Sequence, residues 1–269
     1  MTRGEALLVW YRDNARDLPW RHTRDPYLIL VSEVMLQQTQ VPRVVPAYER
    51  FVAAFPTVDT LAAAGLDTVL SLWSGLGYNA RARRLRDAAR HVATNGWPAD
   101  AAGLRALPGV GPYTAAAVAS FAFGEQVAVD DTNVRRVLSR WMGEALDGNR
   151  LRSVAGDSMS GDAATWNQAV MELGAIVCRP VPECDTCPVR EWCADPTLYR
   201  PPARQTRFAG SDREVRGAVV RALGGVGWQT HRQLTEATGH GLERIAAAVR
   251  SLADDGLVDR RGTSARIAG

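Results

Sequence analysis

Glu33 sits in the middle of an otherwise apolar run, Tyr27-Leu-Ile-Leu-Val-Ser-Glu33-Val-Met-Leu-Gln-Gln38-Thr39. A carboxyl in an apolar pocket has its charged form disfavoured and its pKa raised, which lets it donate a proton near neutral pH. A buried ion pair with one of the many arginines is the structural alternative. A second acidic site is Asp131, in Asp130-Asp131-Thr132-Asn133-Val134. It lies directly before a helix start, so it serves either as a carboxylate for chemistry or as an ordinary N-cap. Upstream, Leu107-Pro108-Gly109-Val110-Gly111 makes a tight turn into a helix that opens on Pro112. Proline at the first helical position and glycines in the turn suit helix entry. Bare amides at a helix N-terminus suit a phosphate, although an αα-corner alone would use the same residues.

The four cysteines are confined to one stretch, Cys178-x5-Cys184-x2-Cys187-x5-Cys193. Thiols crowded this closely ligate a metal more simply than they form disulfides in a reducing compartment. Structural zinc sites use two close pairs, whereas only Cys184 and Cys187 make one here. A single compact run of four favours an iron–sulfur cluster, with zinc and unligated thiols as the alternatives. Gly75-Leu76-Gly77-Tyr78-Asn79 is a glycine-flanked loop just ahead of a helix bearing Arg81, Arg83, Arg84, Arg86 and Arg90. An aromatic on a flexible tip beside arginines can wedge between base pairs while phosphates are gripped, though many loop tyrosines are plain surface anchors.

These residues need elements to hold them, and the pattern is helical nearly throughout. The chain has 269 residues, 46% of them hydrophobic and 23% charged, enough for a sizeable core in two or three domains. Net charge is only +3, so composition alone does not announce a nucleic-acid binder. There is no lysine; all 32 basic residues are arginine. No apolar run reaches the length of a membrane span and the N-terminus does not read as a signal peptide, so a cytoplasmic protein is expected. Helices are predicted over Gly4 to Asn14, from Pro26 with Asp25 as cap, over Pro42 to Phe55, Thr57 to Ala64, Leu66 to Trp73, the arginine-rich 79 to 95, Asp100 to Leu107, and Pro112 to about Phe123. Another begins after Asp131 and another covers Thr165 to Ala175; Leu151 to Ala163 is polar and shows no clear period. After a Pro/Arg-rich linker at 199 to 207, a helix from Ser211 to Leu223 is predicted, with Glu214 completing a capping box. Helices over Thr230 to Thr238 and Leu242 to Asp254 and a hairpin around Gly262 follow, together resembling a small winged-helix unit.

Several of these stretches together resemble one family. The run 107 to 140 is similar to the helix-hairpin-helix plus Gly/Pro-rich loop and Asp of the base-excision DNA glycosylases. Ser32-Glu33-Val34-Met35-Leu36-Gln37-Gln38-Thr39-Gln40-Val41 and Trp73-Ser-Gly-Leu-Gly-Tyr78-Asn-Ala-Arg-Ala-Arg resemble motifs of the MutY-type adenine glycosylases within that superfamily. The resemblance implies an all-α, two-lobed core over residues 1 to about 205, a six-helix lobe at about 22 to 124 and a second lobe of 1 to 21 plus 125 to 205, with 206 to 269 appended. It implies that the enzyme is a monomer, binds double-stranded DNA and removes adenine mispaired with 8-oxoguanine or guanine. Glu33 would protonate the base, Asp131 would stabilise the sugar cation, and Tyr113 and Asn133 would support it. Gln38, Leu76 and Tyr78 would enter the stack, the Gly109, Val110 and Gly111 amides would hold phosphate, and Arg21 would also bind DNA. Gln168 and Trp20 would bind the base. Cys178, Cys184, Cys187 and Cys193 would hold one four-iron four-sulfur cluster. Three departures stand out: Asn79 replaces the family's second tyrosine, the first cysteine gap is one residue short, and no Nudix-like segment is expected in 206 to 269. Tyr113 occupies the position where lyase relatives carry lysine, so a monofunctional enzyme is implied. A mismatch-specific thymine glycosylase and a non-catalytic iron–sulfur DNA-binding regulator are the rival readings.

Overall fold

The computed structural model describes residues 1–201 and 207–269, and it is mostly helical. In order the helices are α1 Arg3–Asn14, α2 Pro26–Leu36, α3 Val41–Ala54, α4 Val58–Ala63, α5 Leu66–Leu72, α6 Ala80–Asn95, α7 Ala101–Leu104 and α8 Pro112–Phe123. They continue with α9 Thr132–Met142, α10 Gly148–Ser158, α11 Ala163–Ile176, α12 Asp212–Leu223, α13 His231–Thr238 and α14 Leu242–Asp254. The chain forms two compact units, one of Met1–Leu30, Pro98–Ala106 and Val110–Ala203, the other of Val31–Trp97, Leu107–Gly109 and Arg204–Gly269.

The first unit is built on one apolar core. Leu7 of α1, Val134, Val137, Leu138 and Trp141 of α9, Leu151 and Val154 of α10, and Trp166, Val170 and Leu173 of α11 are all buried in it. Local signals set its helix starts: Thr2 and Glu5 form a capping box on α1, Asp131 caps α9 through Val134 N–H, and Asp162 caps α11 through Thr165 N–H. The region predicted to lack a period contains α10, whose Leu151, Val154 and Ala155 make a narrow buried stripe. Its glycines and polar residues hide that stripe in the sequence, and packing on the core supplies what propensity does not. The helix predicted over 100 to 107 is shorter, a single turn in α7 capped by Asp100.

In the second unit, Phe51 of α3 packs edge-on to both Phe55 and Trp73, with ring centroids 5.0 and 5.9 Å apart. Leu61, Leu66, Val69 and Leu85 of the same unit are also buried. The C-terminal residues add α12, α13, α14 and a three-stranded antiparallel sheet, β1 Gln229–Thr230, β2 Val258–Arg261 and β3 Ser264–Ile267, in the order β1-β3-β2. Val258 pairs with Ile267 and Arg261 with Ser264 around the Gly262 turn, as a wing should. The capping box expected at Ser211 does not form. Glu214 reaches back to Gly210 N–H at 2.6 Å, and Ser211 Oγ donates to Phe208 O instead. The box at Thr230 and Gln233 does form. The Pro/Arg-rich linker lies partly in residues 202–206, outside the described residues.

Candidate active site

In the second unit, α2 places Glu33 among buried neighbours. Val31, Ser32, Val34 and Met35 are each 5% exposed or less, and Glu33 itself is 3% exposed. Gln38, just past the end of α2, and Tyr78, in the glycine-flanked loop, have φ of +56° and +48°, and among the described residues they are the non-glycine ones at positive φ. Residues other than glycine hold this region at a cost of order 1–3 kcal/mol, and such strain gathers at functional sites. Arg81 of α6 ties the two strained segments together. Its Nη1 donates to Val34 O at 2.7 Å and Gln37 O at 2.6 Å, closing the C-terminal end of α2. Its Nη2 donates to Leu76 O and Gly77 O, both at 3.2 Å. Burial pushes this guanidinium down to about 10, a shift that Tyr78 partly opposes. Leu76 is buried beneath the loop, whereas Tyr78 is 40% exposed. Gly109, at φ +75°, is packed so closely that a Cβ there would lie 2.6 Å from Arg84 Cβ. The turn therefore needs glycine twice over, for its backbone and for its space.

In the first unit, Asp131 carries two roles at once. Oδ1 accepts from Val134 N–H at 2.6 Å and Oδ2 from Asn133 Nδ2 at 3.1 Å. Burial pushes the Asp131 carboxyl up, opposed by these hydrogen bonds and by the Arg136 guanidinium. Asn133 is fixed from its other end, since its Oδ1 accepts from Arg136 Nη2 at 2.8 Å. Arg136 also donates to Gly174 O at 2.6 Å and Cys178 O at 2.7 Å. Gly174 lets α11 press against α9 here, because a Cβ on it would stand 2.5 Å from Asn133 Cβ. Buried Asn167 holds the segment leading to Asp131: it accepts from Val129 N–H at 3.0 Å and donates to Val127 O at 2.8 Å and Ser120 Oγ at 3.0 Å. Tyr113 packs on the small cluster of Ala116, Ala117 and Val129, two residues before Asp131.

The expected base-binding residues of this unit are drawn toward one buried acid. Glu172, wholly buried in α11, accepts from Arg16 at 2.6 and 2.8 Å, from Arg16 N–H at 3.0 Å and from Arg21 Nη2 at 2.6 Å. Burial alone would raise its pKa, but the two guanidiniums outweigh it and lower the carboxyl to about 2. The 3₁₀ turn Pro19–Arg21, which carries buried Trp20, is thereby fixed to α11. Arg21 in turn lies 5.6 Å from the Tyr11 ring centroid, and Tyr11 Oη donates to Gln168 Oε1 at 2.8 Å. Asn167 and Glu172 match no motif and escape a reading by residue type, and the backbone-bracing contacts of Arg136 and Arg81 are not marked by residue type either. The available signal for the two on α11 is a polar residue at a core-facing helical position.

Residues 31–149 match the model of the HhH-GPD superfamily base excision DNA repair proteins. The adenine DNA glycosylase of Mycobacterium tuberculosis is 39% identical over 94% of this chain and 89% of its own length. The chain belongs to the adenine DNA glycosylases. The Mycolicibacterium smegmatis member is 42% identical over 81% of this chain and 78% of its own, and the human one 43% over 70% and 38%. Among solved structures, this glycosylase resembles a thermostable thymine-DNA glycosylase with a TM-score of 0.67 and 31% identity, covering 71% of this chain and 93% of that one. Endonuclease III trapped on DNA shares the fold with a TM-score of 0.62 at 23% identity, covering 73% and 97%.

The glycosylase's four cysteines are free thiols, one buried and three half-buried. Burial raises Cys187 and Cys193, and the neighbouring cysteines raise both further. Buried Arg140 braces them: it donates to Cys178 Sγ at 3.2 Å, Arg179 O at 2.7 Å, Pro180 O at 2.9 Å and Leu198 O at 2.9 Å. Among the described residues no three His, Cys, Asp or Glu side chains close on a point as they would round a single ion. Four soft sulfur donors, one of them against the Arg140 guanidinium, are of the kind that an iron–sulfur cluster takes.

Proposed function

We propose that this protein hydrolyses the N-glycosidic bond of adenine mispaired with 8-oxoguanine or guanine in double-stranded DNA, without cutting the strand. The observation that carries the reading is a carboxyl, Glu33, buried at 3% exposure in the apolar helix α2. A base inside a duplex must first be extruded. Tyr78 and Gln38, with Leu76 beneath them, enter the stack, while the amides of Gly109, Val110 and Gly111 and the Arg21 segment hold the backbone. Trp20 and Gln168 receive the base. Glu33 then protonates adenine, turning a poor leaving group into a better one. The sugar becomes cation-like as the bond stretches, and Asp131 faces that charge. Desolvation of Asp131 strengthens its field on a cation. Asn133 holds one Asp131 oxygen in place, and Tyr113 packs the preceding segment.

Cys178, Cys184, Cys187 and Cys193 would hold one four-iron four-sulfur cluster, which would cross-link the loop beside α9. We place the enzyme in the cytoplasm at the nucleoid, as a monomer, since its substrate is chromosomal DNA. The test is single-turnover base release on A·8-oxoguanine, A·G, A·C and T·G duplexes by wild type and Glu33→Gln. Gln keeps the shape and removes the proton, so adenine release should fall by ~10²–10⁴ while binding survives. A near wild-type rate in Glu33→Gln, or release of thymine in preference to adenine, would overturn the assignment.

A further inference from the structure

No step above uses the C-terminal sheet, whose two faces differ sharply. Val258 stands opposite Ile267 and Arg260 opposite Ala265, and Val258, Ala265 and Ile267 are buried. Strand alternation turns Asp259, Arg261 and Arg266 to the other face, where Asp259 opposes Arg266. Trp228, just before β1, lies on that face too: the Arg261 and Arg266 guanidiniums stand 5.2 and 5.0 Å from its ring centroid. The ring is 36% exposed. Arg266 also pairs with Asp259 at 3.0 Å, with both side chains open to water. Arg261 and Arg266, joined by exposed Arg260 at the strand edge, therefore outnumber one acid around a solvent-facing tryptophan. The sheet belongs to the compact unit that carries α6 and the Tyr78 loop. It is anchored there just before two of its strands, by Arg83 Nη1 donating to Asp255 O at 2.6 Å and Gly225 N–H donating to Asp67 Oδ2 at 3.0 Å.

We infer that this face is a second DNA contact, on which Arg261 and Arg266, racked on Trp228, grip phosphates of the duplex flanking the mismatch. The inference rests on duplex DNA being the substrate. An apolar partner would strip water from guanidiniums that one carboxylate cannot match, at a cost in free energy. A duplex, with one negative charge per roughly 1.7 Å of its axis, complements the excess of cations. A guanidinium that sets its face on an aromatic ring keeps its N–H edge for hydrogen bonds, and that edge matches phosphate. Holding two long side chains on a ring beforehand lowers the ordering entropy lost on binding. Phosphates carry no sequence information, so the grip adds affinity for flanking duplex of any sequence.

The experiment uses the full chain with its cluster and measures affinity by anisotropy on A·G duplexes with short and long flanks. A fluorine on the adenosine sugar disfavours the cation-like state, so the base stays in place during the measurement. With long flanks, the Arg261→Ala/Arg266→Ala double variant should bind on the order of tenfold more weakly, and its slope of log affinity against log salt should fall by about 2. The advantage of the long duplex over the short one should shrink with it. Trp228→Ala should lose part of the same affinity and Trp228→Phe less. Asp259→Asn removes the acid that faces the phosphates, so it should tighten binding by up to about fivefold, the scale of one exposed ion pair. A wild-type slope and length dependence in the double variant, or weaker binding by Asp259→Asn, would overturn the inference. Should the alanines unfold the sheet, a wild-type slope in Arg261→Gln/Arg266→Gln would overturn it equally. A wild-type protein that binds neither duplex would instead overturn the substrate reading on which it rests.

Discussion

Replacing Glu172 by Gln should cost about 3 kcal/mol of stability at neutral pH and loosen the segment that carries Trp20 and Arg21. The carboxyl is wholly buried, and its pKa falls from an ordinary 4.5 to about 2 on folding. Roughly 2.5 units at 1.36 kcal/mol each give that figure. It agrees with the 3–5 kcal/mol lost when one partner of a buried pair is removed and the other charge is stranded. Here the stranded group is chiefly Arg21, whose side chain is 13% exposed, since Arg16 at 38% can turn to water. The folded pKa is depressed, so the contribution is complete above the unfolded value of about 4.5 and disappears as pH falls through about 2. The wild-type advantage over Glu172→Gln should therefore be flat from neutral pH to about pH 5, then shrink to about 2 kcal/mol by pH 3.5. Urea denaturation of both proteins across that range measures it, and base release at neutral pH should fall with the loosened segment. A difference under about 1 kcal/mol at neutral pH, or one that persists unchanged into acid, would refute the ion-pair account.

Gly174→Ala should strain the α9–α11 contact, because its Cβ meets Asn133 Cβ at 2.5 Å. Overpacking of this kind costs about 1–3 kcal/mol, and the displaced Asn133 should slow base release more than it weakens DNA binding. Purified protein should be brown and hold about four iron atoms per chain, and chelation of the iron should lower the melting temperature. A colourless protein with one zinc would show that the thiols serve another metal. Borohydride during turnover should trap essentially no protein–DNA adduct, since this sequence has no lysine and arginine stays protonated at working pH. Enzyme-dependent strand nicking without alkali would contradict that, and Tyr113→Lys should begin to confer trapping if Tyr113 faces the sugar.

Much of the helical order can be read along the chain because its causes are local. Pro112 at a helix start, Asp131 as an N-cap, the Thr230 and Gln233 box and the apolar period of α14 each act within a turn or two. The candidate carboxylates are legible for the same reason: an acid inside an apolar helix and an acid at a helix start announce themselves by neighbours in sequence. What surrounds them is decided by tertiary structure. Glu172 is paired with Arg16 across 156 positions, Arg136 joins Asn133 to Cys178 across 42, and Arg213 meets Tyr78 across 135. No local propensity encodes these partners, and a chain with 32 arginines offers too many for residue type to choose among them. The choice comes from packing, which buries Glu172 beside two guanidiniums and forbids any side chain at Gly174. Helix α10 makes the same point for secondary structure, since its three-residue buried stripe becomes a helix face only when the core of α9 and α11 is there to cover it.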